Sequence, residues 1–332
     1  MSEYKSIKGI SIQEVSADIP TGNAFEGQVW YNTTTNKLRV RKSDPGSWST
    51  GGLKNDNYIS GMAAGTNTAT IAAFGGVPPS GGTATELYDG TSWTTANAGN
   101  NGRQFMGGGG TSTSALAFGG WNPYRSQTES WNGTNWTNVN SLNTARLYLG
   151  GCGSSNTNDL ASGGSIFTAS PAYQGWTESW NGTNWTSVNN NVLGPDSWGI
   201  SKGTMQGTNT AAIIFGGDIP PSQSNQSQIW DGTCWTTNPV SMSNSHNETC
   251  SGGTNTSALI MGGGPPPAGS TNVTSWNGTT FSSAASKSDV GAQLGGAGAS
   301  NVNGICFGGT TPTQTNTEEF SSFDGNTSFS IG

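Results

Sequence analysis

The chain is short of charge, of histidine, of closely spaced cysteines and of long apolar runs, and each shortage removes a class of function. Only 9% of its 332 residues are charged, 12 Lys and Arg against 19 Asp and Glu. Phosphate-backbone binding is built from Lys and Arg, so no nucleic-acid partner is expected. The one histidine, His246, stands in the polar stretch SNSHNETC and reads as a loop residue that cannot form a multi-imidazole metal site alone. Cys152, Cys234, Cys250 and Cys306 lie far apart with no C-x-x-C spacing, which points to buried thiols and not to zinc or a disulfide framework. No apolar run has the length of a membrane span, and MSEYKSIKGISIQEV lacks a signal-peptide core. No membrane insertion and assembly in a cytoplasm are therefore expected. No helical pattern of twelve residues appears either.

What is present is Gly, Thr, Ser and Asn, punctuated by 13 Trp, 11 Phe and 7 Tyr. Disordered chains usually lack aromatics, whereas glycine with evenly spaced aromatics fits many short strands joined by tight turns. The spacing is periodic. An aromatic followed by Asp-Gly or Asn-Gly occurs at Tyr88-Asp89-Gly90, Trp131-Asn132-Gly133, Trp180-Asn181-Gly182, Trp230-Asp231-Gly232, Trp276-Asn277-Gly278 and Phe323-Asp324-Gly325. Successive Asx positions are 43, 49, 50, 46 and 47 residues apart, near the length of a propeller blade. Upstream of each comes an apolar run ending in Gly-Gly: IAAFGG, ALAFGG, LASGG, AIIFGG, LIMGG and ICFGG. Such runs read as strands buried on both faces.

Asx-Gly is a strong hairpin signal, and a type I′ turn centred on Asn132-Gly133 pairs Trp131 with Thr134 and Glu129 with Trp136. Trp131 and Trp136 then lie diagonally on one packing face, as do Trp180 with Trp185 and Trp230 with Trp235. Beside them, Glu86, Glu129 and Glu178 read as carboxylates that accept backbone N–H bonds from an adjoining turn.

The order of apolar strand, Gly-Gly, variable loop, aromatic-Asx-Gly and Trp resembles the Kelch repeat of β-propellers. Leu142-Asn-Thr-Ala-Arg146 is similar to the link before a Kelch blade's first strand. The resemblance implies an all-β, six-bladed propeller over 56–332. Ser162 departs from the usual Phe, and Phe281 and Phe329 stand where the second Trp is usual in the fifth and sixth copies. Residues 1–55 keep a different charge balance, seven basic against five acidic, and do not follow the repeat. In them, GQVWYNTTTNKLRVRKSDPGSWST alternates around a Thr/Asn turn and resembles hairpin segments near the start of phage tail fibres and other virion proteins. That resemblance implies an attachment segment, with Trp30, Tyr31, Leu38, Arg39 and Arg41 as its assembly residues. A competing reading comes from Ser43-Asp-Pro-Gly-Ser-Trp48, which is like a blade's own Asp-Gly-x-x-Trp turn, so that 28–50 lies against the ring or completes it.

For function, no catalytic pair of acids stands apart from the repeated turns, and only Arg103, Arg125 and Arg146 are available in the body to hold a carboxylate. The chain is accordingly expected not to be an enzyme, and to need no cofactor or metal. The loops between the Gly-Gly strand and the Asx hairpin all emerge on one face, and there the copies disagree. Trp121, Tyr124, Arg125, Phe167, Tyr173 and Trp176 are the candidate binding residues of that face, since aromatic faces suit carbohydrate or protein surfaces. The expected function is a bacteriophage virion structural protein, tail-associated as fibre, nozzle or adhesin, located in the virion. Its partners are other virion proteins and a host surface glycan or protein, and it forms a homo-oligomer within the particle. The alternatives are a head decoration protein, a cellular Kelch-type adaptor and a glycan-active enzyme.

Overall fold

The computed structural model describes residues 12–19, 28–76, 81–121, 123–168, 172–191, 200–219, 222–264, 269–310 and 315–328. Every regular element in them is a strand. The chain divides into two compact units, 47–321 and a smaller one made of 1–46 with 322–332. The division expected at residue 55 thus falls at 46.

Among the described residues, the larger unit holds six four-stranded antiparallel sheets and one two-stranded sheet. Sheet two shows the common pattern: Gly107–Thr111, Ser114–Phe118, Thr128–Trp131 and Trp136–Val139, paired in chain order. The first strand of each sheet lies beside the first strands of its neighbours, and the circuit closes from Gly295–Ser300 back to Met62–Thr66. This is the arrangement of a β-propeller. Glycine permits the crowding at the axis, since a Cβ on Gly151 would stand 2.5 Å from the Gly108 nitrogen. The second strands are the apolar Gly-Gly runs, buried on both faces: Ala115 to Phe118 are fully buried.

The last sheet is completed from the other end of the sequence. Ser47–Thr50 is its fourth strand, pairing Trp48 with Phe320. Trp48 therefore occupies the second-Trp position of the sixth copy, and its Nε1 donates to the Ala285 carbonyl at 2.7 Å. Phe329, to which that position was assigned, lies outside the described residues.

The hairpins differ from the expected two-residue turn. Trp131 pairs directly with Trp136 and Glu129 with Asn138, leaving a four-residue loop over 132–135. The reason is the Asn132 side chain: Oδ1 accepts the N–H groups of Thr134 at 3.0 Å and Asn135 at 2.9 Å. Asn132 thereby stays out of the left-handed region and only Gly133 enters it, at φ 92°, whereas a type I′ turn needs both. Asp89, Asn181, Asp231 and Asn277 accept the same two bonds. The two aromatics of each hairpin have separate tasks. Trp131, Trp180, Trp230 and Trp276 are fully buried and donate to a backbone carbonyl of their own sheet's first turn. Trp93, Trp136, Trp185 and Trp235 donate at 2.9–3.0 Å to a threonine hydroxyl of the preceding sheet, Thr317, Thr85, Thr128 and Thr177.

The glutamates accept turn N–H groups, Glu178 from Asn143 at 2.8 Å and Glu86 from Asp56 at 2.7 Å. They also meet a buried cation that their sequence surroundings do not announce. Lys54–Glu86, Arg103–Glu129, Arg146–Glu178 and Lys287–Glu318 pair at 2.6–3.3 Å. Arg103 and Arg146 are fully buried, so neither is available to an outside carboxylate. In the fifth sheet the pair is neutral, with His246 Nε2 3.1 Å from the Thr274 hydroxyl. His246 is thus a buried residue and not a loop residue, and burial holds its pKa below the usual histidine value. Asp159 has no such partner. It stands where the other sheets carry Thr70, Ala115, Ala212, Ala258 and Gly304, is fully buried against Gly109 and Gly153, and among the described residues neither carboxyl oxygen has a hydrogen bond. Burial pushes its pKa well up.

In the smaller unit Val29–Asn32 and Lys37–Ser43 form the expected hairpin, with Gln13–Val15 parallel on one side and Asp324–Ser328 antiparallel on the other. Asp324-Gly325 is therefore strand, not a hairpin turn. Trp30 is fully buried and Arg41 nearly so, which withdraws both from outside contact. Tyr31 donates to Asn36 at 3.2 Å, Leu38 is half-buried, and Arg39 is bound to Asp18, whose carboxyl it holds down at about 2.

Candidate binding site at the mouth of the ring

Just ahead of each first strand one residue takes the left-handed conformation although it is not glycine: Ser60, Phe105, Tyr148, Lys202, Glu248 and Gln293, with φ between 50° and 59°. Their peptides form a closed hoop. Phe105 N–H donates to Ser60 O at 2.7 Å, Tyr148 to Phe105 at 2.8 Å, Lys202 to Tyr148 at 2.9 Å, Glu248 to Lys202 at 3.2 Å, Gln293 to Glu248 at 2.9 Å and Ser60 to Gln293 at 3.1 Å. Such a φ costs a non-glycine residue about 1–2 kcal/mol, and the hoop is what offsets it here. Strained backbone of this kind gathers at ligand-binding positions. All six residues line one cavity of about 100 Å³. That is below the several hundred Å³ of an enclosing ligand pocket, so the mouth suits a protruding group more than a whole ligand.

The six side chains divide the mouth into two kinds of surface. On one side the rings of Phe105 and Tyr148 lie 4.5 Å apart and Phe167 continues the row 6.3 Å from Tyr148. Tyr124 accepts the Phe167 N–H at 2.9 Å, and Trp121 packs edge-on against Tyr124 at 5.0 Å. An aromatic row thus runs from the loops of the second and third sheets into the mouth. On the other side Lys202 Nζ is 2.8 Å from Glu248 and 3.2 Å from Asp218, and 5.0 Å over the Tyr148 ring. Gln293 donates to Glu248 at 3.0 Å and Asn247 to Asp218 at 2.8 Å. Burial works to lower the Lys202 pKa, but the hydrogen bond and charge of Glu248, with Asp218, outweigh it and hold the ammonium above its ordinary value. Burial, aided by Glu248, pushes the Tyr148 phenol up to about 12. The group is therefore two carboxylates and one ammonium beside a neutral phenol, with net negative charge.

Of the residues expected at this face, the structure joins Trp121, Tyr124 and Phe167 to the row, and Phe167 is 54% exposed. Arg125, Tyr173 and Trp176 are held in their loops through the backbone. Arg125 exchanges backbone bonds with Gly120 and Arg146, Tyr173 bridges to Ser165, and the Trp176 carbonyl accepts Gly163 N–H at 3.0 Å. Positions 77–80, 122, 169–171, 220–221, 265–268 and 311–314 of these loops lie outside the described residues. Sequence reasoning missed the hoop. Its signal is positional: one place recurring every 43–54 residues at which no two copies agree. Among the described residues no cluster of three or more metal-ligating side chains occurs.

The loop carrying that lysine also overturns an exclusion. The expectation of no enzymatic activity rested on finding no gathered titratable groups, yet Lys202, Glu248 and Asp218 meet in the mouth within 2.8–3.2 Å of one another through the ammonium. Comparison with known proteins adds a fold and no activity. No family model matches the chain, and no curated protein does. Among solved structures, the one described as "Structure of YjhT" is similar over 81% of this chain and 95% of its own, with TM-score 0.61 and 14% identity. A fold shared at that identity carries the β-propeller and not the function; the exclusion of catalysis is withdrawn on the gathered Lys202, Glu248 and Asp218 side chains.

Proposed function

We propose that the chain is a bacteriophage virion protein, tail-associated, whose propeller presents the mouth and its aromatic row to a host surface or a neighbouring virion protein. The observation that carries the binding reading is the hoop: one backbone geometry repeated six times and six different side chains held on it. Uniform backbone with divided side chains is what a recognition surface requires, because the scaffold is preorganised and only the displayed chemistry varies. The virion reading is supported by the resemblance of the hairpin 29–43 to virion protein segments and by the separate unit that hairpin forms.

Two measurements test it. Electron cryomicroscopy of particles carrying the chain should place it in the tail; density at the capsid would turn the reading to head decoration, and absence from purified particles would end it. The intact protein should also bind host envelope material, with the Tyr148→Ala variant losing at least tenfold in affinity. Equal binding by both would remove the mouth from the account.

A further inference from the structure

The four cysteines are free, and two of them meet. Cys250 opens the first strand of the fifth sheet, Cys250–Thr254, and Cys306 lies in the second strand of the sixth, Asn303–Phe307. Their sulfurs are 3.2 Å apart, closer than two unbonded side chains in an apolar interior ordinarily stand, and both residues are buried. A separation of 56 positions hid this juxtaposition from any reading of spacing.

Neither cysteine is a repeat residue. At the register position of Cys306 the other sheets carry Ala72, Ala117, Ala161, Ile214 and Ile260, and at that of Cys250 they carry Met62, Gly107, Gly150, Thr204 and Gly295. Only this junction has a thiol on both sides. Gly296 leaves the space, since a Cβ there would press on the Cys250 Cβ and Sγ at 2.8 and 2.9 Å. Cys152 is buried elsewhere, and Cys234 is exposed with its sulfur 3.5 Å from Asp231, against the expectation that all four are buried.

We propose that Cys250 and Cys306 are an oxidisable pair that closes into a disulfide joining the fifth and sixth sheets, with hydrogen peroxide as the oxidant class. The Cys306 thiolate attacks one peroxide oxygen, the O–O bond breaks, and hydroxide leaves, giving a sulfenic acid at Cys306. Cys250 sulfur then attacks that sulfur, the S–O bond breaks, the thiol proton goes to the departing oxygen and water leaves. The two thiols lose two electrons and two protons, and peroxide becomes two waters. The surroundings divide the roles. The Cys250 S–H and, against the effect of burial, the Lys287 ammonium lower the Cys306 pKa, while burial raises that of Cys250. Cys306 lines a cavity of about 10 Å³ with Lys287 and Glu318, room for one water-sized molecule. Cys250 lines the axial cavity. The inference does not depend on the proposed function.

The test uses the full chain, treated with a small excess of hydrogen peroxide, unfolded, alkylated and mapped by mass spectrometry. The expected result is a cross-linked peptide pair 2 Da lighter than the two thiols, resistant to alkylation until reductant is added, while Cys152 still alkylates. The melting midpoint should rise by about 5 °C, since a bond closing a loop of this length constrains the unfolded chain. Cys306→Ser should abolish both changes. Full alkylation of Cys250 and Cys306 after peroxide, or separate sulfinic acids without a cross-link, would overturn the proposal.

Discussion

The two ends of each sheet treat repetition in opposite ways. At the hairpin end sheets two, three and four agree in both backbone and side chain, with Tyr88 and Phe281 the departures of sheets one and five: Asx caps two N–H groups, and one Trp seals its own sheet while the other clasps its neighbour. At the mouth the copies agree in backbone alone, and Ser, Phe, Tyr, Lys, Glu and Gln share one φ. The difference teaches where to look in a repeat protein. Agreement of side chains marks what holds the ring, and disagreement on an invariant backbone marks what it displays.

This contrast can be broken from the stable end first. Trp131→Ala removes a fully buried ring and its bond to Ser112, and should cost about 3–5 kcal/mol, read as a lowered urea midpoint. Arg146→Ala leaves Glu178 charged and buried, with a loss of similar size, about 3–5 kcal/mol; adding Glu178→Leu should restore most of it, and a thermal-melt comparison of the single and double variants decides. Asp159→Asn should stabilise. The Asp159 pKa is raised on folding from 3.8, so above about pH 4 the folded chain must take up a proton that the unfolded chain lacks, and wild-type stability falls as pH rises. Denaturant titrations across pH 4–8 should show that decline in wild type and a shallower slope in the variant. Trp185→Phe deletes the clasp to Thr128 and part of a buried ring, and should cost about 2 kcal/mol, measured the same way. Smallest in stability is Tyr148→Ala, expected to cost about 1 kcal/mol because the ring is only half-buried, although it is the variant expected to lose ligand. A Tyr148→Ala protein as unstable as Trp131→Ala would erase the distinction between the two ends.

The repeat, the buried second strands and the pairing of aromatics on one face were legible because period and apolar pattern are written in residue types. The register was not, since Asn132 can either enter the left-handed region or cap two amides, and only the second keeps Trp131 opposite Trp136. The ion pairs escaped notice because the cation sits 26 to 32 residues from its glutamate and changes type, Lys54, Arg103, Arg146 or Lys287, with His246 in its neutral version. The hoop escaped for a deeper reason. Left-handed φ in Phe, Tyr or Gln has no compositional mark, being imposed by the neighbouring peptides.

Trp48 sets the timetable of folding. It is made before any strand of the other five sheets, yet its strand partner, Glu318–Ser321, is made after all of those. Earlier sheets have their own four strands as soon as they are synthesised, so local pairing proceeds sheet by sheet while the last edge stays open. The final step joins positions some 270 residues apart, the slowest kind of contact for a chain to find. Commitment to the closed ring is therefore withheld until residues 318–321 have been made, and a chain cut before them is left with an unpaired strand edge that invites association with another copy.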